Sequence, residues 1–382
     1  MAATVSCLLL ASCGMLSQSA DTGDAAPTWT GTGLVLVACG AEGFGPSTVE
    51  LWELDPVTGA RTGHRPAVEL PDGVRLAYGC DAPGALVRRL FNHDFSAVAV
   101  QVRDDDSAAA QVGVLDLTNG RVRVRSQPTA SAFSALPDDG YALYDEAGRV
   151  LWYRSGEDAL VSFDPDAPSE SAWVEHAVAD SVAAVDDPDA IWWYYARAQV
   201  LPDPSGQVAV ADDTLYVPAQ GRQVTMFCTE LFSGEPIVDG DCIASDSTTG
   251  GVPNLTPAAW VDEDTLLAFD GPVSGGAANT VVRLELDAGY EAVSASPTLP
   301  PSDWLHRSLV VSQTCQRFAT FARRGDDLAV FSQDLYADPA QLPATVTVFD
   351  RDSSEAPDDA PTADARLIDW VAADEGAAAC AP

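Results

Sequence analysis

The residues best equipped for chemistry in this chain are an aromatic run, a set of acidic clusters and eight cysteines. Ile191-Trp192-Trp193-Tyr194-Tyr195 places four aromatic rings in a row. On a strand they alternate, sending Trp193 and Tyr195 to one face and Trp192 and Tyr194 to the other. Two uses suit that pattern. One is burial on both faces between neighbouring sheets, where large rings contribute much apolar area. The other is a stacking platform for a sugar, or an aromatic mouth for a partner peptide. The carboxylates cluster as Asp104-Asp105-Asp106, Asp186-Asp187, Asp212-Asp213, Asp239-Gly240-Asp241 and Asp262-Glu263-Asp264. Such runs are ordinarily hydrated surface, yet oxygen-rich turns also suit Ca²⁺, a hard cation with six to eight oxygen ligands. Asp239 and Asp241, between Cys228 and Cys242, are the candidate Ca²⁺ ligands, and no other cofactor is expected.

The remaining chemistry is mostly excluded. His64, His93, His176 and His306 stand far apart, with no H-E-x-x-H pair, and no C-x-x-C is present. A G-x-S-x-G nucleophile turn is absent, and Gly31-x-Gly33 and Gly43-x-Gly45 do not complete a dinucleotide fingerprint. The 57 acids against 20 bases give a net charge of −37, and every base is arginine. Without lysine there is no Walker-type phosphate lysine and no Schiff-base lysine. The acidic surface repels nucleic acid and anionic lipid alike. No apolar run approaches the roughly 18–20 residues that a membrane-spanning helix needs.

What must position these residues is a repeat of β-strands. A hydrophobic fraction of 47% excludes wholesale disorder. Short alternating runs of Val, Leu, Tyr and Trp recur after Trp29 between Gly, Pro and Asp clusters, which is a strand-and-turn pattern. One unit repeats: a first strand, a polar loop, and a second strand ending in an apolar–acidic turn. The first strands are expected at Leu34–Cys39, Ser96–Val102, Val150–Arg154, Thr214–Val217, Thr265–Phe269 and Arg317–Phe321. Their partners are expected at Val49–Asp55, Val112–Asp116, Leu160–Asp164, Val224–Cys228, Val281–Asp287 and Val346–Asp350. Asp55-Pro56-Val57-Thr58-Gly59 and Asp116-Leu117-Thr118-Asn119-Gly120 read as turns in which Asp caps the backbone and Gly supplies positive φ.

Six such units predict an all-β fold, a β-propeller of six blades with seven as the fallback. A pair of β-sandwiches is the competing all-β arrangement. His93-Asp94-Phe95-Ser96-Ala97-Val98-Ala99-Val100 resembles the degenerate S-P-D-G-x-x-A-F strand of the TolB-type and tryptophan–aspartate-repeat propellers. Val114-Leu115-Asp116-Leu117-Thr118-Asn119-Gly120 resembles their next strand and turn. The resemblance implies a single propeller over residues 29–382.

The first residues carry a second resemblance. Leu10-Ala11-Ser12-Cys13, after the apolar stretch from Val5, resembles the bacterial lipobox. That resemblance implies a signal peptide at 1–12 and lipidation of Cys13, and hence a cell-membrane lipoprotein on the extracytoplasmic side. Residues 13–28, rich in Ser, Ala, Asp and Thr, then read as a flexible tether. The composition is that of a high-G+C, actinobacterial-like source.

Export leaves six cysteines: Cys39, Cys80, Cys228, Cys242, Cys315 and Cys380. An even number with no metal spacing reads as three disulfides, with 15 possible pairings. The expected set is Cys228–Cys242 across a hairpin, Cys39–Cys80 stapling the first blade, and Cys315–Cys380 tying the tail, including Arg366–Val371, to the last blade. The function expected is a monomeric, non-enzymatic binding or scaffold module for a protein or glycan partner of the cell envelope. It contacts the membrane through its anchor alone. The alternative is a propeller hydrolase or lyase acting on envelope polysaccharide, with two channel-facing carboxylates as acid and base.

Overall fold

The computed structural model describes residues 29–371 apart from 43–44, 77–81, 83, 104–109, 125–141, 146, 155–158, 168–173, 177–200, 203–208, 212–213, 218–221, 229–241, 246–254, 271–279, 287–291, 301, 315, 339–341 and 350–364. The N-terminal side begins with strands β1 (Gly33–Glu42), β2 (Gly45–Leu54) and β3 (Arg61–Glu69). A second sheet contains β4 (Val74–Arg75), β5 (Ala97–Arg103), β6 (Ala110–Asp116) and β7 (Arg121–Val124), with a short helix α1 (Gly84–Arg88) between β4 and β5. The third contains β8 (Ala142–Tyr144), β9 (Val150–Arg154), β10 (Ala159–Phe163) and β11 (Val174–His176). Five strands make the fourth: β12 (Leu201–Pro202), β13 (Ala209–Ala211), β14 (Thr214–Val217), β15 (Arg222–Cys228) and β16 (Cys242–Ser245). The fifth runs β17 (Leu255–Trp260), β18 (Thr265–Asp270), β19 (Thr280–Leu286) and β20 (Ala292–Pro297). The sixth runs β21 (Leu305–Val311), β22 (Arg317–Arg324), β23 (Asp327–Asp334) and β24 (Ala344–Phe349).

The last strand, β25 (Arg366–Val371), returns to the first sheet, whose order is β25-β1-β2-β3. It pairs antiparallel with β1, Gly33 opposite Val371 and Val37 opposite Arg366. A C-terminal strand thus completes the N-terminal sheet, and consecutive antiparallel sheets closed in this way are the strand order of a β-propeller.

Burial follows from that order. Along β1, Val35, Val37 and Cys39 enter one core cluster while Leu34, Leu36 and Ala38 enter another. The first cluster joins the first sheet to the second through Val98 and Val100, and the other joins it to the sixth through Ala319 and Phe321. Ala97 and Ala99 of β5 point the opposite way, to Val150, Trp152 and Val161 of the third sheet. The core is therefore a series of layers between successive sheets. This is why these strands are apolar on both faces.

The turns use the expected chemistry. Asp55 Oδ1 accepts hydrogen bonds from the backbone N–H of Val57 at 2.9 Å and Thr58 at 2.6 Å. Asp116 Oδ1 accepts from the N–H of Thr118 at 2.8 Å. These bonds, the Thr58 N–H foremost for Asp55, and for Asp116 the Thr118 hydroxyl foremost, hold both carboxyls below their usual range. Gly59 sits at φ +69°, and a Cβ there would collide with the Val346 carbonyl, so this turn docks onto β24 only as glycine.

Two expectations are corrected. Val346–Asp350 is not the hairpin partner of the strand at Arg317. Residues 344–349 form the outer strand β24, and β22 pairs instead with β23 through the two-residue turn Gly325-Asp326. The tight turn shortens this unit, so even spacing pointed one strand too far. Arg366–Val371 belongs to the first sheet rather than to the last, because its neighbour in the ladder is β1.

Candidate functional site

The inner strand of the second sheet is split. β4 pairs with β5 at Val74↔Val102 and Arg75↔Gln101, and the pairing resumes only at Phe91, which bridges to Val98. Between the two pieces the chain makes an excursion that carries α1. The helix lies against β25, β21 and β17, the inner-edge strands of the first, sixth and fifth sheets. Just after it, the Arg89 carbonyl accepts a 2.6 Å hydrogen bond from the N–H of Tyr144 on β8, the inner edge of the third sheet. A segment that touches the inner edges of five sheets stands where they converge, on the axis of the ring.

Its side chains fill that space with apolar atoms. Leu86, Val87, Leu90, Phe91 and Phe95 are buried together with Ile368 of β25. Gly84 permits the close approach: a Cβ there would lie 2.5 Å from the Leu367 carbonyl oxygen. The polar fastening is Arg88. Its Nε donates to Asp369 Oδ2 at 2.5 Å, Nη1 donates to the carbonyls of Phe91 at 3.0 Å and Asn92 at 3.2 Å, and Nη2 reaches that of His93 at 3.4 Å. The guanidinium lies 4.2 Å from the centre of the Phe95 ring, a cation–π contact. Phe95 holds φ +56°, rare outside glycine, and its complete burial keeps it there. The turn is completed by Asn92, which accepts from the N–H of Ala97, and by Asp94, which accepts from the N–H and hydroxyl of Ser96.

A second fastening holds the start of the domain. Glu53, fully buried, accepts hydrogen bonds from the Thr30 N–H at 2.8 Å, the Thr30 hydroxyl at 2.7 Å and the Thr32 N–H. Trp29 packs on Phe95 at 5.6 Å, and Arg65 lies over its ring at 4.8 Å while donating to the Asp94 carbonyl. On β21, His306 is buried beside Phe331 and hydrogen-bonds Thr320 through Nδ1 at 3.1 Å. Desolvation lowers its pKa to about 4, so the ring is neutral at pH 7.

Among the described residues here, the Asp369 carboxylate is matched by Arg88 at bonding distance, and no group of three or more His, Cys, Asp or Glu could hold a metal. Of the residues singled out from sequence, Cys13, Cys80, Trp192, Trp193, Tyr194, Tyr195, Asp239, Asp241, Cys315 and Cys380 lie outside the described residues. Cys39 is buried on β1 and disulfide-bonded. Cys228 ends β15 opposite Cys242, which begins β16. Arg88 and Asp369 were not anticipated, and the one sequence cue is a charged pair, Arg88-Arg89, set inside an otherwise apolar stretch.

No protein-family model matches the chain, and no curated protein matches it in sequence. Solved structures do resemble it. TolB from Acinetobacter baumannii is 13% identical over 83% of this chain and 65% of its own, with a TM-score of 0.35. The periplasmic gluconolactonase of Pseudomonas aeruginosa is 14% identical over 81% and 78%, with a TM-score of 0.32. The β-propeller domain of the Trilobed protease from Pyrococcus furiosus is 10% identical over 85% and 97%, with a TM-score of 0.31. Likeness at this distance says nothing of activity, and the fold rests on the strand order of the chain itself.

Proposed function

We propose that this chain is a six-bladed propeller, lipid-anchored through Cys13 on the extracytoplasmic side of the cell membrane, that binds a protein or glycan partner without catalysing a reaction. The observation behind the reading is the filled axis. Many propeller activities use a channel, and here α1 and Phe91 occupy the convergence of the sheets while Arg88 neutralises Asp369. An acid–base pair for glycoside cleavage needs two carboxyl groups about 5–9 Å apart on either side of an open substrate site. With the axis closed, recognition falls to the loops and outer surfaces, where a monomer would meet its partner.

Two measurements test this. Detergent-free fractionation should leave the protein in the membrane pellet and release a Cys13→Ser variant, since each buried CH₂ of an acyl chain contributes about 0.8 kcal/mol. Crosslinking for partner capture must target carboxylates, because the chain has no lysine. Turnover of envelope polysaccharide by the purified protein would refute the non-enzymatic part, and recovery of the wild type in the cytosol would refute the anchor.

A further inference from the structure

We propose that Cys228 and Cys242 form a disulfide. β15 and β16 pair in the register Thr225↔Ser245, Met226↔Ala244, Phe227↔Ile243 and Cys228↔Cys242. The two cysteines are directly opposite each other on the last rung of the ladder. Opposed residues of an antiparallel pair share a face, with Cα atoms about 4.5 Å or 5.5 Å apart depending on the rung. Both separations fall inside the roughly 4.4–6.8 Å window that a disulfide requires. The backbone therefore brings the pair together without rearrangement, and a terminal rung has the most freedom to complete the geometry.

Cys39, the remaining cysteine among the described residues, fits less well. Cys39 is already disulfide-bonded, and it lies in the core between the first and second sheets while β15 and β16 belong to the fourth. In the closing step each thiol gives up its hydrogen, a sulfur–sulfur bond forms, and two electrons and two protons pass to a donor disulfide, which leaves as a dithiol.

The sequence makes the test direct. Between Arg222 and Arg283 there is no basic residue, so trypsin releases residues 223–283 as one peptide holding Cys228, Cys242 and no other cysteine. From the full chain recovered from an oxidising compartment, unreduced and alkylated under denaturing conditions, that peptide should carry no alkyl group. Its mass should be lower by two hydrogens than after reduction. Cleavage after Glu230 should then leave the pieces bearing Cys228 and Cys242 joined until a reductant is added. In a Cys242→Ser variant, Cys228 should become alkylatable. Alkylation of both cysteines in the wild type, or linkage of either to the peptides bearing Cys39, Cys80, Cys315 or Cys380, overturns the assignment. The outcome is independent of lipidation at Cys13, so it stands apart from the fractionation experiment.

Discussion

Replacing Gly84 by alanine sets two effects of opposite sign against each other. Alanine is the better helix former by about 0.8–1 kcal/mol, and it also restricts the unfolded chain. On α1 considered alone, the substitution would stabilise. The structure places the new Cβ 2.5 Å from the Leu367 carbonyl oxygen and 3.6 Å from the Ile368 Cα. The obstacle is backbone of a strand held on its other side by β1, so it cannot swing aside as a side chain would. The helix must withdraw by close to 1 Å. Withdrawal stretches the Arg88–Asp369 pair, whose partners are about a quarter exposed, and opens a gap against Ile368. Overpacking of this kind costs about 1–3 kcal/mol, and weakening a charge-assisted hydrogen bond adds about 1 kcal/mol. The clash therefore wins, and Gly84→Ala should lower stability by about 1–3 kcal/mol. Urea unfolding followed by tryptophan fluorescence would measure it. A variant as stable as the wild type, or more so, would mean that α1 does not rest on β25 and that the axis is open.

Other substitutions probe the remaining fastenings. His306 has a folded pKa of about 4 against 6.5 unfolded, so the unfolded chain takes up a proton first as pH falls. Its contribution is intact above pH 6.5 and lost progressively towards pH 4, by on the order of 3 kcal/mol, and His306→Gln should flatten that slope in unfolding measured across the range. Ser308→Ala removes the acceptor of the Leu367 N–H, a 2.8 Å bond from β21 to β25. The orphaned donor should cost about 1–3 kcal/mol and speed amide exchange at Leu367, while unchanged exchange there would refute the role. Glu53→Gln turns one of two acceptor oxygens into a donor facing the N–H of Thr30 or that of Thr32. It should destabilise by about 1–3 kcal/mol and open residues 29–32 to proteolysis, and an unaltered cleavage pattern would count against the clamp.

Much of the ladder was legible because its signals are local. The pair β1 and β2, and the pair β5 and β6, combine continuous apolar runs with turns at Asp55 and Asp116, and both kinds of signal survive in a single sequence. The strand β23 was passed over because Gly325-Asp326 joins it to β22 in two residues, while the even spacing of the units pointed farther along the chain. The inner strands escaped for a different reason: β4 has two residues and β8 three, too few to express a period. Locally, only the charged pair Arg88-Arg89 within an apolar stretch marks the axial closure. Arg88 and Asp369 stand 281 residues apart, and the apolar run Leu86 to Phe91 reads as one more buried strand until the sheets are arranged around it.

The strand that completes the first sheet is made after every other described strand. Until residues 366–371 arrive, β1 shows an unpaired edge that is apolar on both faces, the kind of template that recruits other chains. Assembly of this ring is thus a matter of timing. Closure joins residues more than three hundred positions apart, and contacts so distant in sequence form late and slowly. A chain shortened by its final strand would fold its middle sheets normally and then persist as an open, adhesive ring. A circular permutant that places β25 immediately before β1 removes the wait. The permutant should refold faster and aggregate less, with the same final contacts.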